Sequence, residues 1–258
     1  MIKTITCGII ALSLMACGEG RKEKSESRSK VSLPKIKSMD SLVVAPVRKD
    51  SLPFVGKLEK RLIKAGLLNV QKEIPGILID LRYSTKNNFF GKDVYGDLTN
   101  CYLQAEVIEM LKMAHEALKK SHPSLTFLIY DGVRPQSVQQ ILWDELDKPD
   151  SIKPLYVANP QKGSLHNFGV TVDLTLAESN SGEALDMGTD FDFFGYPAYP
   201  DREEQMLKEG KINQKQIENR QLLREIMEGA GFKGIGSEWW HFNAYSRKIA
   251  GEKFDIVK

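Results

Sequence analysis

The chain has 258 residues, 27% of them charged, and a formal net charge of +2. That length suits one globular domain with a real core. The near-neutral balance, with Lys and Arg mixed among Glu and Asp rather than gathered in a stripe, gives no support to nucleic-acid binding.

The N-terminal run MIKTITCGIIALSLMAC carries one early lysine, Lys3, and then only uncharged, mostly apolar residues to Cys17. It is short for a membrane span and suits the apolar region of a signal peptide. Leu14, Met15, Ala16 and Cys17 resemble the lipobox of bacterial lipoproteins, with Met15 a less usual choice at its position. The resemblance implies a signal peptide over 1–17, lipidation of Cys17 and an exported, membrane-anchored protein of the cell envelope. The following GEGRKEKSESRSKVSLPKIKSMDS is charged and serine-rich. It offers too little apolar surface to offset the entropy of ordering, so 18–55 is expected to be a flexible tether and 56–258 a single folded domain. With Cys7 in the signal and Cys17 at the anchor, Cys101 stands alone. An internal disulfide and a thiolate metal cluster are thereby excluded. Cys101 sits among apolar neighbours, which predicts a buried structural residue.

In chain order, LEKRLIKAGLLN (about 58–69) predicts a short amphipathic helix interrupted by glycine. GILIDLRY (76–83) predicts a strand, and STKNNFFGKDVYGD a polar, aromatic loop. The apolar residues of LQAEVIEMLKMAHEALKKS, Leu103 to Ser121, recur at helical spacing without proline or glycine, which predicts a helix. TFLIYDGVR predicts a buried strand running into a turn, SVQQILWDEL (about 137–146) a helix, and GVTVDLTL a strand by alternation. NRQLLREIMEGAGF (219–232) predicts a helix ended by glycine, and FKGIGSEWWHFN a closing strand and turn. Helices and strands mix without a regular βαβ repeat. The expected class is α+β, with a small, mostly antiparallel central sheet flanked by helices.

Two stretches carry chemistry. Alternation in GVTVDLTL puts Val170, Val172, Leu174 and Leu176 on one face and Thr171, Asp173 and Thr175 on the other, with the aspartate side opening towards something polar. His166, one of four histidines, precedes this strand in a loop that Gly169 lets turn back. Taken alone, a histidine and an aspartate this close in sequence are commonplace. In SEWWHFN, Glu238 and His241 are three residues apart, so a helical turn or a bulged strand aims both into one cleft. An aromatic core strand with one polar interruption is the competing reading. Two histidines and one carboxylate form a frequent ligand set for catalytic zinc, with a fourth position left for water. Glu238 would then be the base that takes a proton from that water and returns it to the leaving amine.

Together the motifs S-x-H-x-x-G-x-x-x-D (Ser164, His166, Gly169, Asp173) and E-x-W-H (Glu238, Trp240, His241) resemble the zinc D,D-peptidases of family M15. The closest likeness is to the D-alanyl-D-alanine dipeptidases of the vancomycin-resistance type. DLRYSTKNNFFG, YDGVRPQSVQ, VDLTL, MGTDFDF and NRQLLREIMEGAGF look like dipeptidase segments in the same order, over roughly residues 75 to 245. The resemblance implies the zinc D,D-peptidase (Hedgehog-like) fold and one zinc per chain, held by His166, Asp173 and His241. It makes Glu238 the general base and Arg134 the arginine that stabilises the oxyanion, with Asp131 placed to orient that arginine. It makes Asp192, expected buried among Phe191, Phe193 and Phe194, the carboxylate that recognises the free amino end of a dipeptide. Tyr83 and Ser164 match residues lining the substrate site.

The chain departs from the pattern at Leu165, Asn167 and Phe168, where relatives carry small polar, polar or basic residues, and this puts contacts to the substrate termini in question. The best-known relatives work in the cytoplasm, so an exported chain points to recycling or scavenging. The expected activity is hydrolysis of a small D,D-dipeptide, D-Ala-D-Ala, to two D-alanines, with no nucleic acid and no obligatory protein partner. An envelope D,D- or L,D-carboxypeptidase trimming peptidoglycan stems is the alternative; Asp192 argues against it, because an acylated stem has no free ammonium. A zinc-bearing binding module without catalysis is a further reading, and retention of Glu238 and Arg134 argues against that one.

Overall fold

The computed structural model describes residues 55–258. The predicted signal peptide, lipidation of Cys17 and the tether up to residue 54 lie outside the described residues. Helix α1 (Lys57–Lys64) stops well before the predicted end at 69. Gly66 takes φ 82, and the Leu67 amide donates back to the Leu62 carbonyl, a left-handed glycine stop. Strand β1 (Leu68–Asn69) follows and pairs antiparallel with β3 (Tyr102–Leu103). Between them lie α2 (Val70–Glu73) and β2 (Leu78–Ile79). Most of GILIDLRY is therefore not strand, and Leu103, predicted to be helical, is paired. Helix α3 (Ala105–Ser121) then runs on as predicted, burying Val107, Ile108, Leu111, Ala114 and Leu118.

The central sheet has five strands: β2, β4 (Leu125–Asp131), β5 (Thr171–Glu178), β7 (Glu238–Asn243) and β6 (Lys233–Ile235), in that spatial order. Only the β2–β4 pair is parallel, so the sheet is mixed and mostly antiparallel and the class is α+β. Helix α3 packs on β4 and against α6 (Gln214–Gly229). α6 begins five residues before its predicted start, because Asn213 and Gln216 cap each other's backbone amides, a reciprocal box that satisfies two otherwise orphan donors. Helix α4 (Gln136–Glu145) agrees with expectation, whereas α5 (Glu203–Lys208) and α7 (Arg247–Lys253) are short and went unpredicted.

Strands β4 and β5 are buried on both faces. The polar face of β5 thus meets protein instead of opening broadly: Thr171, Asp173 and Thr175 are all buried. Cys101 is free and buried, as expected. Phe127, at the middle of β4, has no exposed surface. Phe127→Ala is expected to cost about 3–5 kcal/mol of folding stability, the usual range for emptying a large core site. Urea unfolding of the two proteins should show this as a lower midpoint with an unchanged slope.

Candidate active site

Three neighbouring strands put one row of polar side chains across the sheet. Asp131 ends β4 opposite Asp173 of β5, and Asp173 lies opposite His241 of β7. His166 comes from a single 3-10 turn, Leu165–Phe168, that leads into β5. Gly169 ends this turn at φ 68, where a Cβ would approach Leu67 Cδ2 to 2.9 Å, so the close return of this loop requires glycine.

Glu238 and His241 would face opposite ways on a regular strand. Here β7 is bulged. Gly234 pairs with Phe242 but the next residue, Ile235, pairs with Glu238. Three residues of β7 are thereby looped out against β6, and both Glu238 and His241 line the same cavity with Trp240. Trp239 turns elsewhere and donates from Nε1 to Thr189 Oγ1 at 2.8 Å.

His166, Asp173 and His241 offer ligand atoms that all lie within 4.8 Å of one another. Each imidazole is oriented from its far nitrogen. His166 Nδ1 donates to the Gly132 carbonyl at 2.7 Å, and His241 Nε2 donates to Asn243 Oδ1 at 3.0 Å. The near nitrogens, His166 Nε2 and His241 Nδ1, then face the Asp173 carboxylate at 3.4 and 3.0 Å. A neutral imidazole has a lone pair at that position, so two lone pairs point at carboxylate oxygens. Asp173 Oδ1 is buried and makes no hydrogen bond. Such an arrangement is repulsive unless a cation lies between the groups, and two imidazoles plus one carboxylate suit a divalent transition metal. Protons on those near nitrogens would supply the same positive charge. Burial acts to raise the Asp173 carboxyl, yet the positive charge and hydrogen bond of His166, together with His241, hold it well below the usual carboxylate range. Burial pulls His241 down, but bonding to Asp173 and the charges of Asp173 and Glu238 carry it upward. Burial lifts Glu238 above its ordinary value.

Arg134 is locked beside this cluster. Its Nε and Nη2 donate to Asp131 Oδ2 at 3.0 and 2.7 Å, and Nη1 to Gln139 Oε1 at 3.3 Å. The guanidinium lies over the Tyr83 ring, 4.6 Å from its centroid, a cation–π contact in a desolvated setting. Asp131 is fully buried and also accepts from the Tyr95 hydroxyl at 2.6 Å. It therefore orients the arginine and does not line the cavity. Tyr83 donates from its hydroxyl to Asp192 Oδ2 at 2.9 Å, tying the arginine to the second carboxylate.

Asp192 is the one non-glycine residue with positive φ among the described residues, at 61, a conformation that costs of order 1–3 kcal/mol. Burial pushes its carboxyl well above the usual range. The expected cage of three phenylalanines is not formed. Phe191 is buried, but Phe193 and Phe194 are exposed, because neighbours in an irregular loop point in different directions. Phe194 instead stacks edge-on against Tyr156 and Phe89.

Ser164 lines the cavity and accepts from the His166 amide at 3.3 Å, capping the turn that carries this histidine. Asn167 is fully buried; it accepts from the Ser164 amide at 2.5 Å and donates to the Arg134 carbonyl at 2.6 Å. Asn167 and Phe168 thus bind loop to loop and do not line the cavity, and neither does Leu165. These departures leave the cavity wall untouched. Gln139, Tyr95 and Asn243 went unassigned in the sequence. Only Asn243 left a signal, two positions after His241 on one strand face.

The cavity is about 200 Å³, walled by Tyr83, Arg134, Asp192 and Glu238 and covered by Pro154 to Ala158. That is below the roughly 300–1,000 Å³ of drug-sized ligand sites. A larger cleft of about 610 Å³ holds none of the predicted site residues; Arg82, Phe191 and Trp239, which line it, are sequence neighbours of the Tyr83, Asp192 and Trp240 that line the first.

Two imidazoles and a carboxylate beside a glutamate and an immobilised arginine suit metal-assisted hydrolysis. The family model described as Peptidase_M15, D-ala-D-ala dipeptidase, matches residues 63–258, and the chain belongs to this family. The D-alanyl-D-alanine dipeptidase of Escherichia coli (strain K12) is 35% identical over 68% of this chain and 83% of its own length. That of Enterococcus faecalis is 29% identical over 74% of this chain and 98% of its own. The solved structure of VanYB in complex with D-Alanine-D-Alanine covers 59% of this chain and 76% of its own at 16% identity; its TM-score of 0.35 is below the level at which a shared fold follows.

Asn243 anchors His241 and itself accepts from Thr171 Oγ1 at 2.7 Å. Asn243→Ala is expected to weaken divalent-metal affinity about 10- to 100-fold, the usual effect of removing an outer hydrogen bond to a ligand. Competition against a chelating indicator measures it.

Proposed function

We propose that the protein is a zinc dipeptidase that hydrolyses free D-Ala-D-Ala to two D-alanines. The observation that carries this reading is the sharing of one small cavity by the His166–Asp173–His241 cluster, Glu238, Arg134 and Asp192. His166, Asp173 and His241 are the residues that would hold zinc. When bound, zinc supplies Lewis-acid polarisation of the peptide carbonyl and makes water more acidic.

The chain's own residues do the rest. Glu238, its proton affinity raised by burial, takes a proton from the attacking water and delivers it to the departing amine. Arg134 cannot swing away, because Asp131, Gln139 and Tyr83 hold it. Its donors meet the carbonyl oxygen as negative charge develops, with no reorganisation needed in the step. Asp192, steadied by the Tyr83 hydroxyl, pairs with the ammonium of the free dipeptide, and this pairing selects against acylated stem peptides. The names of the relatives support D-Ala-D-Ala as the substrate.

Alanine release from D-Ala-D-Ala and from its N-acetyl form tests the reading. Release from the free dipeptide alone is expected, abolished by chelator and lowered about 10²- to 10⁴-fold by Glu238→Ala. Ammonium binding needs the Asp192 carboxylate, whose pKa burial raises. KM should therefore rise as pH falls through that raised value, with kcat changing less, and Asp192→Asn should flatten this limb. Equal or better cleavage of the acetylated form would instead assign the enzyme to peptidoglycan stems.

The lipobox supports an envelope location, with Cys17 as the anchor. Cys17→Ala is then expected to move the protein from the membrane fraction to the soluble fraction; unchanged fractionation would remove the anchor.

A further inference from the structure

The segment from Asp186 to Tyr199 contains only one 3-10 turn, Tyr196–Ala198, yet it presents Asp192 to the cavity in a conformation that the backbone does not favour. What holds it there is one face of α6. Arg220 is fully buried. Its Nε donates to the Met187 carbonyl at 2.6 Å and its Nη2 to the Pro197 carbonyl at 2.9 Å. These two carbonyls bracket Asp192, so one planar guanidinium bridges the two limbs of the loop. The third nitrogen, Nη1, faces Glu203 at 3.6 Å, and Arg224 holds Glu203 through two hydrogen bonds of 2.8 and 2.7 Å. The Arg220 guanidinium also approaches the Trp239 ring at 5.9 Å, and Trp239 donates to Thr189 of the same loop. From the adjacent position Asn219 donates to the Asp186 carbonyl, and from the previous turn of α6 Gln216 donates to the Asp186 carboxylate, both at 2.8 Å.

From this arrangement we infer that Arg220 is a positioning residue for substrate binding: by clasping the Met187 and Pro197 carbonyls it sets the Asp192 carboxylate in the cavity. Arg220 lies outside the cavity lining and acts through the loop alone. The guanidinium fork is what matters, since the single ammonium of lysine keeps the charge opposite Glu203 but cannot span two fixed carbonyls. The inference rests on the reading of Asp192 as the ammonium partner.

The test is steady-state kinetics on free D-Ala-D-Ala with the zinc-loaded full chain, comparing Arg220→Lys, Asp192→Asn and the double variant. Loss of an interaction made equally in ground and transition states raises KM and spares kcat. Arg220→Lys is expected to raise KM about tenfold while kcat stays within about threefold. Its zinc content should match the parent enzyme, which a general collapse of the site would not allow. Residues acting as one unit are non-additive, so adding Arg220→Lys to Asp192→Asn should raise KM no more than about twofold further. Arg224→Met, which removes the support of Glu203 and touches no loop carbonyl, should leave KM unchanged. Asn219→Ala removes only the bond to Asp186 and should show a smaller change of the same kind; it carries the test if Arg220→Lys does not fold.

A parental KM in the folded Arg220→Lys variant, or in Asn219→Ala where Arg220→Lys does not fold, with KM raised in Asp192→Asn, overturns the clasp and leaves the reading of Asp192 standing. Additive KM effects in the double variant also overturn it. A parental KM in Asp192→Asn overturns the Asp192 reading itself, and the inference with it.

Discussion

The carboxylate of Asp173 is buried between two imidazole nitrogens whose far sides are already committed as donors. An unpaired buried carboxylate is among the most costly things a fold can contain. The surrounding structure makes sense as the frame that keeps this group in place for a cation. The Gly132 carbonyl fixes one ring and Asn243 the other, and Thr171 fixes Asn243. These contacts reach from the β4 turn to the end of β7, so the strands that form the core also set the metal ligands. Placing a site on paired strands holds its geometry more tightly than loops alone would.

A second set of constraints surrounds Arg134. Asp131, Gln139 and Tyr83 immobilise it, and the Tyr83 hydroxyl passes that order on to Asp192. The arginine and the second carboxylate are thus linked through one aromatic ring. Asn167 joins the histidine turn to the arginine loop from behind. Asp192 is half-buried on a strained backbone and held by the Tyr83 hydroxyl.

Strongly periodic segments were legible as elements: α3, β4 and β5 lie close to where their patterns put them. The weaker ones were not. Gly66 cut α1 short through a left-handed stop, and the capping box at Asn213 started α6 early, effects that depend on single residues rather than on periodicity. The short α5 and α7 carry too few turns to show a pattern. In the site, the two motifs pointed to His166, Asp173, Glu238 and His241, and the strands bring these four side chains to one cavity. The packing around Asp192 was misjudged, since sequence adjacency to three phenylalanines says nothing about where each points in an irregular loop.

The sequence by itself determined which chemistry was possible: one histidine–aspartate pair, one glutamate–histidine pair, an arginine before a proline, and no second free cysteine in the folded region. Those residue types at those spacings restrict the options because few other side chains can ligate zinc or move a proton at neutral pH. Only the tertiary structure decided that a bulge turns Glu238 and His241 to one side and that α6 holds the Asp192 loop. Each of these depends on contacts between residues distant in the chain, such as Arg220 with Pro197 or Tyr83 with Asp192. Local pattern carries no record of such contacts, because they arise only once the strands have paired and the helices have packed.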